Sequence, residues 1–238
     1  MDELTTPRYS LRRMITERST SLITGDGPVL EARLAVPPSP IAGVVICHPH
    51  PLYGGDMDNP VVVRVREVCA DMGLATLRFN FRGVGGSTGS HGGGLDEQRD
   101  VEAALESLRS SLGPRPRLTL AGYSFGATVA ARLVAGGPSE PVAALALVAP
   151  PVAATGEAPF LGLATRPVPV LIVAGSQDDH CPGPALQALA SWLPRADIHI
   201  IEGANHFFFG KLFPLGQRIA AWAGQLEAGQ ATGCGGSR

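Results

Sequence analysis

The chain has 238 residues, enough for a large core, and its 19 basic and 21 acidic side chains leave a formal charge of −2. That balance argues against a nucleic-acid-binding surface or a polybasic membrane patch. The four cysteines have no short paired spacing and indicate neither a zinc site nor a disulfide framework. The N-terminal segment carries charges throughout, and no apolar run approaches the roughly 18 residues that span a bilayer. We therefore expect a cytoplasmic protein without nucleic-acid or membrane partners, and leave its oligomeric state open, a homodimer included.

The first elements of the chain predict an antiparallel hairpin at a sheet edge, because SLITG and VLEARLAV flank the turn residues Asp26-Gly27-Pro28. From residue 41 onward, short apolar runs of strand-forming residues alternate with helical patterns. The apolar runs predict strands at 41–47, 74–80, 117–123, 142–148, 168–175 and 197–202. The segments between them predict helices near 59–72, 95–112, 126–136, 184–193 and 211–228.

The pattern of the predicted strands indicates the fold class. Several strands are apolar at nearly every position, as strands covered on both faces must be. Strand–helix alternation of this length is typical of an α/β fold with a doubly wound, mostly parallel sheet. The chain shows no internal repeat and no linker that would divide it. We predict an N-terminal arm over 1–20, a single domain over 21–228 and a flexible, glycine-rich tail over 229–238.

A candidate nucleophile lies between a predicted strand and a predicted helix, in the stretch Gly122-Tyr123-Ser124-Phe125-Gly126, which matches G-x-S-x-G. A strand that runs directly into a helix needs a tight turn with a strained residue at its apex, so small residues are required on both sides. Such a turn places the serine hydroxyl at the carboxyl edge of the sheet, near a helix N-terminus. Ser124 is therefore the candidate nucleophile, although a motif this short also occurs where glycines simply mark a turn.

A serine nucleophile needs a base that removes its proton and a carboxylate that orients the base. In a sheet of this kind both follow the nucleophile along the chain, acid first and histidine last. His206 lies just after the last predicted strand and is the candidate base, whereas His180 and His199 fit that place less well. Asp178 is the candidate acid after the preceding strand, with its neighbour Asp179 as the alternative. The other loop that could supply an acid, APPVAATG, contains no carboxylate.

Five stretches that follow one another along the chain carry a family resemblance. They are CHPHPLYGGDMDN (47–59), LRFNFRGVGGSTG (77–89), GYSFG (122–126), GSQDD (175–179) and GANHFF (203–208). Together they resemble the α/β-hydrolase family, specifically the small lidless bacterial serine hydrolases of the dienelactone-hydrolase-like branch, over about residues 25 to 225. The resemblance implies an α/β-hydrolase fold with minimal or no lid, Ser124 as nucleophile, Asp178 as acid and His206 as base. Dienelactone hydrolases proper have a cysteine nucleophile, so the chain departs from them at this position.

Acyl transfer also needs two N–H donors aimed at the developing oxyanion. One is expected from the backbone of Phe125, which follows the nucleophile. The other is expected in the loop HPHPLYGG, where Pro49 and Pro51 have no N–H. Similarity to the family's His-Gly-x turn implies His50 as that donor, with Leu52 as the alternative. The candidate substrate-binding residues are Leu52, Tyr53, Tyr123 and Phe207.

A metal site is the main alternative for the histidines of this loop. His48 and His50 lie two residues apart on a segment expected to be extended, and with Asp56 or His91 they have the residue types to chelate a metal. Their place in the expected oxyanion loop explains them without a metal. We therefore predict no metal site.

Other side chains near the motifs admit a structural interpretation. Arg78 and Arg82 fit an anion clamp, but ties between the glycine-rich loop and its neighbours explain them more simply. The run 207–209, three phenylalanines, is expected to pack beneath the histidine loop, although one ring could line an acyl pocket. Cys47 and Cys181 are expected near the site, without a nucleophilic role beside the serine.

These residues predict a serine hydrolase of small esters or thioesters that works through an acyl-enzyme and needs no cofactor. The one candidate cover of the site is the segment between Pro150 and Pro167, where Phe160, Leu161 and Leu163 could contact a substrate, so short acyl chains are expected. Two alternatives stay open: a peptidase or amidase similar to prolyl oligopeptidases, and a binding protein that keeps the fold without turnover. An epoxide hydrolase or a dehalogenase would need an aspartate in place of Ser124.

Overall fold

Eight strands form one sheet in the computed structural model, which describes residues 16–40, 42–138 and 141–231. In chain order the strands are β1 (Arg18–Ile23), β2 (Val29–Ala35), β3 (Gly43–Cys47), β4 (Ala75–Phe79), β5 (Leu118–Tyr123), β6 (Val142–Val148), β7 (Val170–Gln177) and β8 (Asp197–Asn205). Their order across the sheet is β1-β2-β4-β3-β5-β6-β7-β8. β2 pairs antiparallel with β1 and with β4, and the other neighbouring pairs are parallel. The prediction of a mostly parallel sheet with an antiparallel N-terminal hairpin is confirmed.

Helices cover both faces of this sheet. They are α1 (Pro60–Asp71), α2 (Glu97–Ser110), α3 (Phe125–Gly136), α4 (Val152–Thr155), α5 (Ala158–Leu161), α6 (Gly183–Trp192) and α7 (Leu212–Ala231), with 3₁₀ turns at Pro51–Tyr53 and Gly162–Thr165. The start of α1 shows why these helices form where they do. The Asn59 side chain accepts a hydrogen bond from Val61 N–H, and Pro60 occupies the first turn, where a missing N–H costs nothing. Among the described residues, none of the helices has the length and apolar character needed to cross a membrane.

The two faces of the sheet bury separate hydrophobic clusters. Every residue of β3 is buried. Val45 and Cys47 belong to the cluster beneath α2 and α3, whereas Val44 and Ile46 belong to the cluster beneath α1 and α7. Successive side chains of a strand point to opposite faces, so a strand with helices on both sides must be apolar at each position. This packing explains the continuous apolar runs of the sequence.

The last two strands extend beyond their predicted ends. β7 ends at Gln177 and β8 at Asn205, whereas the sequence predicts ends at 175 and 202. A register shift after Gly175 allows Gln177 to pair with Asn205, and a side chain at Gly175 would collide with the Ala204 carbonyl oxygen. Irregular pairing of this kind has no alternating pattern, so the sequence does not reveal it. The loops that carry the candidate acid and base begin directly after these two ends.

The two ends of the described chain also differ from the predicted boundaries. β1 begins at Arg18, inside the predicted arm 1–20, and α7 ends at Ala231, inside the predicted tail 229–238. Elsewhere the predicted bounds of strands and helices lie within two residues of those observed. The remainder of the arm and of the tail falls outside the described residues. The division into an arm, one domain and a tail stays a prediction.

The segment between β6 and β7 does not cover the site in the expected way. α5 and the following 3₁₀ turn pack against α3, and Phe160 and Leu163 are fully buried in the core. The expectation that these two side chains contact a substrate is wrong, because the short helices turn their apolar side chains inward. Leu161 is partly exposed. Only α4, the first helix of the segment, reaches the site described next.

Candidate active site

A strained turn presents Ser124 at the end of β5, directly before α3. Its backbone has φ 54° and ψ −115°, a conformation that L-residues rarely adopt. The turn is possible because the residues two positions before and two positions after the serine are glycines, which have no side chain. A Cβ on Gly122 would collide with the Gly126 carbonyl, and a Cβ on Gly126 would collide with the backbone of Cys47. The two glycines of the motif therefore serve the close approach of backbone to backbone.

Three side chains from the ends of β5, β7 and β8 form one hydrogen-bonded chain. Ser124 Oγ lies 2.9 Å from His206 Nε2. On the other side of the ring, Nδ1 lies 2.9 and 3.0 Å from the two carboxylate oxygens of Asp178. A carboxylate only accepts, so Nδ1 carries the proton and Nε2 accepts from the serine hydroxyl. All three side chains are buried. The structure thus brings together the three residues that the sequence proposes as nucleophile, base and acid.

The neighbouring aspartates are placed differently. Asp178 is 2% exposed, and its Oδ1 also accepts the backbone N–H groups of His180 at 2.9 Å and Cys181 at 3.1 Å. These bonds hold the carboxylate in position against the His206 ring. Asp179 is exposed to solvent. Only the first aspartate therefore contacts the histidine.

A hydrogen bond from Tyr123 stabilises the loop that carries His206. The phenol O–H donates to the His206 carbonyl oxygen at 3.0 Å, and burial, followed by the charge of Asp178, raises the pKa of Tyr123. The phenol therefore stays protonated and remains a donor. On the far side, Asn205 Oδ1 accepts the N–H groups of Phe207 at 3.2 Å and Phe209 at 3.3 Å. Together these bonds fix the backbone on both sides of the histidine.

The loop after β3 leaves the amide of His50, a cavity-lining residue, without a partner among the described residues. His50 Nδ1 accepts Leu52 N–H at 3.2 Å, and the His50 carbonyl accepts the N–H groups of Tyr53 at 3.1 Å and Gly55 at 3.0 Å. Within the described residues, no hydrogen bond uses the His50 N–H, whereas the Leu52 N–H is occupied. Phe125 is the first residue of α3, so its N–H has no partner within that helix. Of the two candidates in this loop, His50 thus has an unused N–H and lines the cavity together with Phe125, whereas Leu52 does neither.

Close backbone packing shapes this loop. A Cβ on Gly55 would collide with the Pro49 carbonyl oxygen, and Gly54 has φ 75° at the end of the 3₁₀ turn. Burial and the neighbouring His91 lower the pKa of His50, so its ring is neutral at pH 7 and its Nδ1 is available as an acceptor. The two glycines, Gly54 and Gly55, thus allow the loop to fold back on itself.

His48 is used by the fold on both sides of its ring. Its Nδ1 lies 2.6 Å from the Pro49 carbonyl oxygen and its Nε2 accepts Phe81 N–H at 2.9 Å. Burial lowers the pKa of this histidine to about 4. His91 lies within ion-pair distance, 2.8 Å, of Glu97. Over the described ranges there is no group of three side chains able to hold a metal.

Arg78 in β4 and Arg82 just after it make structural ion pairs. Arg82 bonds the buried Asp100 at 2.7 and 2.9 Å and Asp26 at 2.9 and 3.1 Å. Arg78 bonds Glu17 at 2.7 and 2.8 Å. These contacts tie the glycine-rich loop to α2 and to the turn of the N-terminal hairpin, and β4 to the residue before β1. The structural interpretation of both arginines agrees with these contacts, and neither side chain lines the cavity.

A cavity of about 700 Å³ opens above the serine. Of the candidate substrate-binding residues, Tyr53, Tyr123 and Phe207 line it, whereas Leu52 does not and is 70% exposed. The remaining lining residues come from the loops after β3, β4, β6, β7 and β8, from the turn after β5, and from α3 and α4. They are Pro49, His50, Gly54, Gly55, Asn59, Gly93, Ser124, Phe125, Thr128, Arg132, Pro151, Ala154, Thr155, His180 and His206.

Sequence reasoning missed most of these contributors. Thr128 and Arg132 follow Ser124 at four-residue intervals in an otherwise small and apolar helix, which places them on one helix face. That spacing was a usable signal. The contribution of α4 had no comparable signal, since Ala154 and Thr155 are ordinary residues that tertiary packing brings to the cavity.

The three phenylalanines and the two cysteines near the site differ in exposure. Phe208 is buried, but Phe207 and Phe209 are 53% and 74% exposed and stack with ring centroids 5.4 Å apart. The expectation that the whole run packs beneath the loop is therefore wrong for two rings of three.

Cys47 and Cys181 are buried, and burial raises the pKa of both thiols, that of Cys181 to about 12. They remain protonated and weakly nucleophilic at neutral pH.

The sequence of this chain matches a family model and a relative from another organism. A family model described as an alpha/beta hydrolase domain matches residues 43–212. An uncharacterized protein of Rickettsia prowazekii is 36% identical over 186 residues, which cover 75% of this chain and 77% of that protein.

Several solved structures have the same architecture, and the match to this chain covers nearly their whole length. An alpha-beta serine hydrolase homologue from Coxiella burnetii has a TM-score of 0.78 and 33% identity, covering 88% of this chain and 98% of its own. A putative alpha/beta hydrolase of Agrobacterium tumefaciens has a TM-score of 0.80 and 29% identity, covering 89% and 97%. A serine hydrolase without a lid from Xanthomonas campestris has a TM-score of 0.77 and 28% identity, covering 88% and 94%.

Proposed function

The chain belongs to the α/β-hydrolase family, and we propose that it is a serine hydrolase that cleaves small carboxylic esters or thioesters through an acyl-enzyme. The observation that carries this proposal is the hydrogen-bonded chain from Ser124 Oγ through the His206 ring to Asp178. A histidine held in this tautomer takes the serine proton at the moment of attack, which converts a weak nucleophile into a strong one. Structural relatives described as serine hydrolases support the assignment.

In the first half of the reaction, Ser124 Oγ attacks the substrate carbonyl carbon while His206 Nε2 takes the hydroxyl proton. The carbonyl oxygen becomes an oxyanion, and the N–H groups of Phe125 and His50 are its proposed donors. The imidazolium then gives its proton to the leaving alcohol or thiol as the bond to the carbonyl carbon breaks. Asp178 stays ionised throughout and holds the Nδ1 proton.

In the second half, water takes the place of the alcohol. His206 Nε2 removes a proton from the water as its oxygen attacks the acyl carbon. Collapse of the second oxyanion expels Ser124 Oγ, which recovers its proton from the histidine. The carboxylic acid leaves, and the serine, histidine and aspartate return to their starting protonation.

The size of the cavity supports small substrates. Its volume of about 700 Å³ lies inside the range of roughly 300 to 1,000 Å³ that holds small molecules. Its cover consists of the four-residue α4 and the exposed rings of Tyr53 and Phe207. Such a site has room for a short acyl group and a small alcohol, and little surface to bury a long chain.

Fluorophosphonate labelling followed by ester hydrolysis tests this proposal. A fluorophosphonate reacts with an activated serine, so the wild-type protein should label at Ser124 and the Ser124→Ala variant should not. Removing such a nucleophile lowers kcat by about a million-fold in other serine hydrolases, so ester turnover by Ser124→Ala should fall to background. Ser191→Ala, which changes an exposed serine on α6, is the matched control and should behave as wild type.

The same measurements separate the alternative functions. Labelling with hydrolysis of p-nitrophenyl esters supports the esterase. Labelling with turnover of p-nitroanilides but not esters would assign an amidase instead. A wild-type protein that neither labels nor hydrolyses any ester would overturn the proposal and leave a binding protein on this fold.

A further inference from the structure

The cavity above Ser124 has an uneven distribution of charge. Among the described residues that line it, Arg132 is the one side chain with a permanent charge, and none carries a carboxylate. The other titratable side chains of the lining are histidines and tyrosines. Asp178 lies behind the His206 ring and is not part of the lining. A substrate that enters this cavity therefore meets a fixed positive charge and no fixed negative one.

Arg132 has unused hydrogen-bonding capacity. Its Nη1 donates to the Gly93 carbonyl oxygen at 3.3 Å, and within the described part of the chain it makes no ion pair. A guanidinium has five N–H donors in a planar fork, so most of them are available to a ligand. The acid of this region, Glu97, already accepts the N–H groups of Gly92 and Gly94 and lies beside His91. The arginine is therefore held against one carbonyl and keeps the donors that suit an oxyanion.

Thr128 provides an independent observation at the same place. Its side chain lines the cavity and is 2% exposed, yet its hydroxyl has no hydrogen-bond partner. A buried hydroxyl without a partner is destabilising, so natural proteins rarely keep one without a use. Threonine in a helix divides between two side-chain rotamers, which allows the hydroxyl to turn toward the cavity. A ligand group that accepts this hydrogen bond would remove the penalty.

The spacing along α3 places both groups in line with the nucleophile. Ser124, Thr128 and Arg132 follow one another at intervals of four residues and lie on one face of the helix. At 1.5 Å per residue, the arginine Cα lies about 12 Å along the helix axis from the serine. Side chains of a helix lean toward its N-terminus, so the guanidinium lies nearer to the serine than its Cα does. The distance suits a small substrate that spans from the scissile carbonyl to an anionic end.

We propose that Thr128 and Arg132 form a specificity subsite for a carboxylate, so that the preferred substrate is an ester or thioester with a carboxylate on its acyl or alcohol part. The inference rests on the proposed hydrolase function and names the substrate class of that site. One guanidinium and one hydroxyl match a single negative charge with two oxygens, since Arg binds a carboxylate through two parallel hydrogen bonds. A phosphate dianion would call for a second cation, which the lining does not offer.

The test compares matched pairs of esters that differ in one charge. p-Nitrophenyl hydrogen adipate against p-nitrophenyl hexanoate varies the charge on the acyl side. meta-Acetoxybenzoate against its methyl ester varies the charge on the alcohol side. For at least one pair, kcat/KM of the wild-type protein should be about tenfold to a hundredfold higher for the charged ester, the range expected from charged hydrogen bonds.

Substitutions then assign the preference to the two residues. Arg132→Met should reduce the ratio of charged to neutral ester to about one, and Arg132→Lys should restore part of it. Thr128→Val should lower kcat/KM for the charged ester several-fold while the Tm stays at or above that of wild type, because an unpartnered hydroxyl is lost. Arg195→Met is the matched control, since Arg195 also donates to backbone carbonyls but lies away from the cavity. It should keep the wild-type ratio.

A binding measurement keeps the inference separate from catalysis. Calorimetry with monomethyl adipate should detect binding to the Ser124→Ala protein and weaker or no binding after Arg132→Met is added. The subsite would be overturned, and the hydrolase function retained, by one result: the wild-type protein hydrolyses charged and neutral esters equally well, and Arg132→Met does not change the ratio of their kcat/KM values. If the wild-type protein hydrolyses no ester, the proposed function fails, and binding of monomethyl adipate alone decides the subsite.

Discussion

At the scale of single residues, Asp178 and Asp179 show how position overrides chemistry. The two side chains are identical and adjacent, but only Asp178 lies against the His206 ring, with two backbone N–H groups holding its carboxylate. Its neighbour is exposed. Ring orientation and tautomer of the histidine therefore depend on one carboxylate.

Replacing each aspartate in turn tests this difference. Asp178→Asn should lower kcat by about 10⁴, because an amide that donates to Nδ1 favours the wrong tautomer. Asp179→Asn has the same change of charge one residue away and should lower kcat less than about twofold. Steady-state hydrolysis of p-nitrophenyl acetate measures both. Equal losses, or a larger loss for Asp179→Asn, would remove Asp178 from the proposed mechanism.

At the scale of elements, the loop after β3, our proposed source of the second oxyanion donor, depends on one close approach. Gly55 donates to the His50 carbonyl and has the Pro49 carbonyl where a side chain would be. The loop therefore keeps its backbone conformation at His50 only while position 55 has no Cβ. A methyl group there must displace the loop.

We predict that Gly55→Ala lowers kcat by about 10², the loss typical of one missing oxyanion donor, while KM changes little. Gly113→Ala is the control, since its added Cβ meets open space, and it should keep wild-type kinetics. Far-ultraviolet circular dichroism checks that both variants fold. A folded Gly55→Ala protein with the wild-type kcat would show that the loop does not supply the second donor.

The segment between β6 and β7 is the basis for the substrate length that we expect. Its apolar residues Phe160 and Leu163 are committed to the core, and only α4 reaches the cavity. Each buried methylene adds about 0.8 kcal/mol of binding only where a surface covers it. Longer chains therefore gain nothing beyond the cavity.

We predict that kcat/KM for p-nitrophenyl esters peaks at about two to six acyl carbons and falls for longer chains, because uncovered methylenes add no binding. No jump in rate is expected when substrate passes from solution to an emulsion. A chain-length series from acetate to laurate measures this. An optimum at laurate would require a groove that continues beyond the cavity, for which the exposed ring of Phe209, stacked on the cavity-lining Phe207, is the candidate surface.

At the scale of the whole molecule, buried polar groups join the loops after β3 and β4 to each other, to α2 and to the N-terminal hairpin. His48 links the loop after β3 to the start of the loop after β4, and Arg82 links that second loop to α2 through Asp100 and to the N-terminal hairpin through Asp26. His48 must be neutral to accept the Phe81 N–H, and burial lowers its pKa to about 4. Its ordinary value in an unfolded chain is about 6.5.

Folding stability should therefore fall as pH drops from about 6.5 to about 4, since only the unfolded state takes up the His48 proton in that window. Above it both states are neutral, and below it both are protonated. The loss is on the order of 3 kcal/mol. Urea denaturation at several pH values measures it, and His48→Gln should show a shallower dependence between the same limits. The salt-bridged carboxylates Glu17 and Asp26, whose pKa values are lowered, lose their contributions below about pH 4.5. An identical pH dependence in wild type and His48→Gln would contradict the assignment.

The sequence by itself determined the strands and helices of this protein and the order in which its candidate site residues follow them along the chain. Strands buried on both faces must be continuous apolar runs, and the helices between them show their own period, so both signals are local. The strand–turn–helix at Ser124 requires Gly122 and Gly126, and the positions of the aspartates and His206 after later strands follow from the parallel sheet. Local rules of this kind need no knowledge of distant contacts.

Only the tertiary structure decided which side chains face the site. The register shift after Gly175, the burial of Asp178 rather than Asp179, the burial of Phe160 and Leu163 and the outward position of Leu52 all depend on packing between distant segments. The same holds for the cavity, whose wall combines α3 and α4 with the loops after five strands. Side-chain direction at such places is set by the summed contacts of elements far apart in the chain, and no local pattern records that sum.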